Sequence, residues 1–237
     1  MFAAAGFVPS PPVLVPELAG GADIHDLRKA VESLAGTLAA AADRWVVVGA
    51  GDTDDVRELR GTGTFAGFGA DVAVHLGGND LGAPDPLMPL PGLIAGWVRA
   101  TWTPHVALDV RLVPRAWDRA QATEFGRGLR ARLDREREVS AVLVVADGAT
   151  TLTERAPGAF DHRGPELQAR LDDALAGGDP SALAEVPGAL AREVGVSAVA
   201  AWYTLAGLFD GAPPADVVEL YRAAPFGVGY HVGAWRG

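Results

Sequence analysis

The stretch RWVVVGAG, residues 44–51, decides the fold. A strand with one wet face alternates apolar and polar residues, whereas this run is apolar from Trp45 onward and ends in small residues. A continuous apolar run of strand length predicts a strand covered on both faces, as strands of a parallel sheet between helical layers are. Other stretches that read as strands are MFAAAGFV (1–8), ADVAVHLGG (70–78), HVALDVRLVP (105–114) and SAVLVVADG (140–148).

Helix-period segments alternate with these runs. DIHDLRKAVESLAGTLAAAA (23–42) places Leu27, Val31, Leu34 and Leu38 on one face, and QATEFGRGLRARLDRERE (121–138) is a charged helix. The last third reads as the helices GPELQARLDDALAGG, DPSALAEVPGALAREVG and SAVAAWYTLAGLFDG, then a closing pair, DVVELYRAA and FGVGYHVGAW. The alternation predicts an α/β fold, a largely parallel central sheet flanked by helices. Two Pro/Gly loops, GAPDPLMPLPG (83–92) and FDGAPPAD (209–216), separate elements of similar composition, so one domain over residues 1–237 is the economical division.

Composition excludes several classes. The net charge is −10, and the basic residues are Lys29 plus scattered arginines, which argues against nucleic acid or an anionic membrane as partner. The chain has no cysteine, which removes disulfides, thiolate metal sites and a Cys nucleophile. No segment reaches 18 uninterrupted apolar residues and the first residues carry no basic region, so the expectation is a cytoplasmic protein.

In an open α/β sheet, ligands gather outside the carboxyl ends of the strands. The residues that follow the expected strands are Ser10, set among prolines in VPSPPVLVPELAG, Asp52 after the 44–51 strand, and Asp147 with Thr150 and Thr151 after VLVVA. Two carboxylates with hydroxyls suit a hard cation. The plainer alternative makes Asp52 a turn residue or the cap of a helix in DTDDVREL, and Asp147 an Asx turn before Gly148. Of the five histidines, His25, His75 and His105 read as surface or strand positions, while His162 in FDHRGPE and His231 in GYHVGAW have more constrained surroundings. None is spaced from another as a local metal pair. The glycine stretches GAGDTD and GTGTFAG lack the strand-to-helix context of a dinucleotide site, and no G-x-S-x-G elbow is present.

Several stretches, in order along nearly the whole chain, resemble the B-subunit family of class III extradiol ring-cleavage dioxygenases, non-haem Fe(II) enzymes that open catechol rings. VPSPPVLVPELAG resembles the family's opening strand and Pro-rich turn, WVVVGAGD its second strand, and GTFAGFGADVAV the segment after it. LDVRLVPRAW, VVADGATTLTERAPGAFD, AWYTLAGLFDG and APFGVGYHVGAW resemble later stretches in the same order.

The resemblance implies the fold, but its functional residues are replaced. The first iron-ligating His falls at Ser10, the second at Gly51 or Asp52, the ligating Glu at Ala198, the base at Thr151 and a further His at Val110. Two imidazoles and one carboxylate hold Fe(II) in such a site, so the resemblance implies a diverged, non-catalytic member without cofactor. Such a protein would bind a small molecule or a protein partner in the inherited cleft around Ser10, Asp52, Asp147 and Thr151. The alternative is an active Fe(II) enzyme with a rearranged ligand set, Asp52 and Asp147 with His231 or His162. A third reading is a homo-oligomer assembled through the apolar late helix SAVAAWYTLAGLF.

Overall fold

A computed structural model describes residues 1–77 and 82–237. Its elements are β1 (Phe2–Val8), α1 (His25–Ala41), β2 (Arg44–Gly51), β3 (Arg57–Leu59), β4 (Thr62–Thr64), β5 (Ala73–His75), α2 (Leu90–Trp102), β6 (Ala107–Pro114) and α3 (Arg119–Arg135). They continue with β7 (Ser140–Val145), α4 (Gly164–Gly177), α5 (Pro180–Ala184), α6 (Gly188–Glu193), α7 (Val199–Leu208), β8 (Asp216–Ala223) and β9 (Tyr230–Arg236).

The central sheet has seven strands in the order β3-β6-β2-β7-β1-β9-β8. Its core is parallel: β6, β2, β7 and β1 run together. Both margins are antiparallel, β3 against β6 and the β8–β9 hairpin against β1. The sheet is therefore mixed, and its closing hairpin joins it edge-on after the last helix.

The continuous apolar runs have the expected cause. Trp45 and Val47 of β2 point into a core under α1 and α2, while Val46 and Val48 point into a second core under α3, α4 and α7. Leu27, Val31, Leu34 and Leu38 of α1 are all buried in the first core. α3 begins at a capping box, in which the Asp118 side chain accepts from the Gln121 backbone and the Gln121 side chain from the Asp118 backbone. Across from it, Gly126 of α3 faces Gly207 of α7 so closely that a Cβ on either would land on a backbone carbonyl of the other helix, Thr204 or Thr123.

Three expectations are corrected, and the sheet membership of one expected strand, which the sequence leaves open, is now seen. ADVAVHLGG does not enter the main sheet: Ala73–His75 pairs with Thr62–Thr64 in a two-stranded ribbon, and Gly78 lies outside the described residues. DTDDVREL is not a helix, because Arg57–Leu59 extends along the edge of β6. DPSALAEVPGALAREVG forms two short helices, broken before Gly188 where Pro187 enters with extended backbone. The end of the Pro/Gly loop at 83–92 is the first turn of α2, where Pro91 is tolerated because the first-turn N–H groups have no helical partner.

Candidate functional site

The parallel order places the ends of β1, β7 and β2 side by side, so Ser10, Asp147 and Asp52 follow adjacent strands. Two of the three meet. The Ser10 backbone N–H donates to Asp147 Oδ1 at 2.8 Å, and the Ser10 hydroxyl bonds Asp147 Oδ2. Behind them, the Trp202 indole N–H donates to the Asp147 carbonyl at 3.1 Å. Burial outweighs both Ser10 bonds and raises the Asp147 carboxyl above its ordinary value. Tyr230 is held in its neutral form, first by its own burial and then by the nearby Asp147 carboxyl and Tyr221.

Asp52 does not join this pair. Its side chain is 89% exposed and lies 3.3 Å from Arg115 Nε, beyond the end of β6. Thr151 also turns away, its hydroxyl donating to the Val194 carbonyl at 3.0 Å. The Thr150 backbone N–H donates to the same carbonyl at 3.1 Å, and the Thr150 carbonyl accepts from Gly158. These threonines fasten the loop after β7 to the turn after α6.

His162 is on the surface, with an 87% exposed ring 3.8 Å from Asp161. His231 is buried at the same end of the sheet as Asp147, because β9 runs antiparallel to β1. Its Nδ1 lies 3.1 Å from Asp172 Oδ1, which also accepts from Gln168 Nε2 at 2.8 Å. Gln168 Oε1 in turn accepts from the Ala149 backbone at 2.7 Å. Arg222 Nε approaches the other Asp172 oxygen at 3.3 Å, and His231 Nε2 lies 3.3 Å from Glu219 Oε2. A polar chain thus runs from the loop after β7 to the β8–β9 hairpin, with the Phe7 ring edge-on to His231. Gly229 leaves room for it, since a Cβ there would collide with the Gln168 amide.

The alternative iron set is therefore not assembled. Asp52 faces Arg115, Asp147 faces Ser10, and His231 faces Asp172 and Glu219. Among the described residues no group of three or more His, Asp or Glu side chains could hold a metal ion. Ala198, at the position of the resembled family's ligating Glu, is the residue before α7, and Val110 is buried in β6. The assembly reading fails on burial: every residue of α7 is buried within the chain, so the apolar helix is core and not a contact face.

Sequence reasoning missed Gln168, Asp172 and Tyr230. A signal for the first two existed: they stand four apart on the stripe that carries Leu167, Leu171 and Leu175, where polar residues need internal partners. The same end of the sheet carries a cavity of about 570 Å³ between the loop after β7 and the β8–β9 loop, lined by Thr153, Arg155, Ala224 and Phe226 among others. The Leu152 N–H to Gly227 carbonyl bond of 3.1 Å fixes the two loops to each other.

Comparison with known proteins defines the fold and goes no further. Neither a family model nor a curated protein matches the sequence. Among solved structures, the chain is similar to the crystal structure of the uncharacterized protein JW3007 from Escherichia coli K12. The TM-score is 0.57 at 15% identity, over 99% of this chain and 100% of that one. Among the described residues, no helix is long and apolar enough to cross a membrane.

Proposed function

We propose that this chain is a diverged, non-catalytic member of the class III extradiol dioxygenase B-subunit-like family that binds a small molecule at the carboxyl ends of its parallel strands. The order of the resembling stretches along nearly the whole chain supports the family. The pairing of Ser10 with Asp147 carries the loss of iron chemistry. At the position where the family has an imidazole, this chain has a hydroxyl and an N–H group, and both are spent on a carboxylate.

The residues present do not fit a ferrous ion. Iron in such a site needs two neutral imidazole donors and an anion on one face, and Ser10, Asp52, Ala198 and Thr151 supply at most one anion, which is turned to Arg115. A small molecule is favoured over a protein partner by the 570 Å³ cavity between the fixed loops, within the range of roughly 300–1,000 Å³ for ligand pockets. Phe226 offers the cavity an apolar surface, and Arg155 and Glu154 line it with one charge of each sign.

The test is an anaerobic Fe(II) titration with a catechol, followed by exposure to oxygen. The expected result is no ring-opening absorbance. Appearance of the ring-opened product would overturn the proposal.

A further inference from the structure

A second cavity lies at the opposite margin of the sheet, between α2, β3 and the first half of β6, with a volume of about 590 Å³. We infer that it binds a small amphipathic monocarboxylate whose acid group rests on Arg99. Leu59, Leu76, Val106, Leu108 and Val110 give it an apolar wall, and most of these side chains are buried.

The charges around this wall set the sign of the ligand. Glu58 is paired with Arg60 at 2.6 Å and lies 3.8 Å from Arg111. Asp109 receives two bonds from Arg111, at 3.0 and 2.8 Å, and stands 3.5 Å from Arg44. Arg99 is different. One of its amino groups donates to the His75 carbonyl at 2.6 Å, while its Nε is buried with no acceptor, and no carboxylate of the described residues lies within ion-pair distance.

The Arg99 Nε–H is closed off from the cavity, so a ligand would meet the remaining amino group. A guanidinium amino group makes a charge-assisted hydrogen bond to a carboxylate. Arg99 is thus the one charged lining group of this cavity, among the described residues, left without an opposite charge. With Glu58 and Asp109 already paired, a single cation is left to balance, which matches a monoanion. The aliphatic side chains of the lining suit a short hydrocarbon part in the ligand.

Calorimetric titration of the full chain with hexanoate, hexan-1-ol and hexylammonium tests this. Saturable binding of hexanoate is expected, with hexan-1-ol and hexylammonium at least about tenfold weaker. Arg99→Met should weaken hexanoate by a similar factor. Leu108→Trp, which narrows the cavity without touching Arg99, should weaken it as well, with an unchanged circular dichroism spectrum reporting the fold. Absence of saturable hexanoate binding to the wild type, equal binding of the alcohol, or undiminished affinity in either folded variant would overturn the inference.

Discussion

Ser10 and Asp147 lie 137 residues apart in sequence and are joined at two points, backbone N–H to one carboxyl oxygen and hydroxyl to the other. The contact exists because β1 and β7 are parallel neighbours, and each residue follows the end of its strand. The Pro-rich turn after β1 holds Ser10 in place. What it presents is a clasp for Asp147.

Replacement of Asp147 separates its shape from its charge. Asp147→Ala leaves the buried Ser10 N–H without an acceptor and should cost about 1–3 kcal/mol in urea unfolding. Asp147→Asn keeps an acceptor for that N–H and a group able to bond the hydroxyl, so it should be near neutral or stabilising at neutral pH.

The pH dependence carries a sign. Burial raises the Asp147 carboxyl above its ordinary value of 3.8, so the folded chain holds this proton more tightly than the unfolded one. The stability it contributes is complete below that ordinary value and is lost as pH rises through the raised value. Asp109 has the opposite sign. Burial would raise it, but the Arg111 bonds and the charges of Arg111, Arg44 and Arg132 together bring it below 3.8. Its contribution is present above that value and is lost as pH falls through the lowered one. Urea midpoints measured against pH should show the Asp147 slope vanish in Asp147→Asn while the Asp109 slope at lower pH persists. An unchanged profile in Asp147→Asn would remove the case for a buried acid.

Asp172 is the acceptor shared by Gln168, His231 and Arg222. Asp172→Ala strands the buried Gln168 amide and His231 Nδ1, while Arg222 keeps Asp173 at 2.8 Å, and should destabilise by about 3 kcal/mol. It should also speed hydrogen exchange at the Ala149 amide, which Gln168 Oε1 accepts. A surface-sized loss, under about 0.5 kcal/mol, would mean that the chain of polar groups is not a structural unit.

Gly126→Ala places a methyl on the Thr204 carbonyl, a backbone atom that cannot swing aside. α3 and α7 would have to separate, at a cost of about 1–3 kcal/mol or more. Thermal unfolding of this variant beside Gly128→Ala, where a Cβ meets open space, isolates the effect.

Much of this architecture is legible from sequence, for identifiable reasons. RWVVVGAG can be read as a doubly covered strand because burial on both faces leaves no polar alternation, and the buried stripe of α1 follows from its period. α2 escapes such a reading because Pro91, Gly92 and Gly96 resemble a loop. In the structure the proline occupies the first turn and Gly96 fits under Val74 and Leu76. The site is legible only in part. Ser10 and Asp147 can be picked out as strand-end residues, but their contact depends on strand order, which local sequence does not contain. His231 reads as a candidate ligand because its partner Asp172 lies on a distant helix.

On the proposed function, the strand ends around Ser10, Asp52 and Asp147 hold no iron. The most direct test is equilibrium dialysis of the full chain against Fe(II) under anaerobic conditions, with elemental analysis of the retained metal. Far less than one iron per chain is expected at micromolar free metal. Retention near one iron per chain, abolished by Asp52→Ala or Asp147→Ala, would contradict the proposed function.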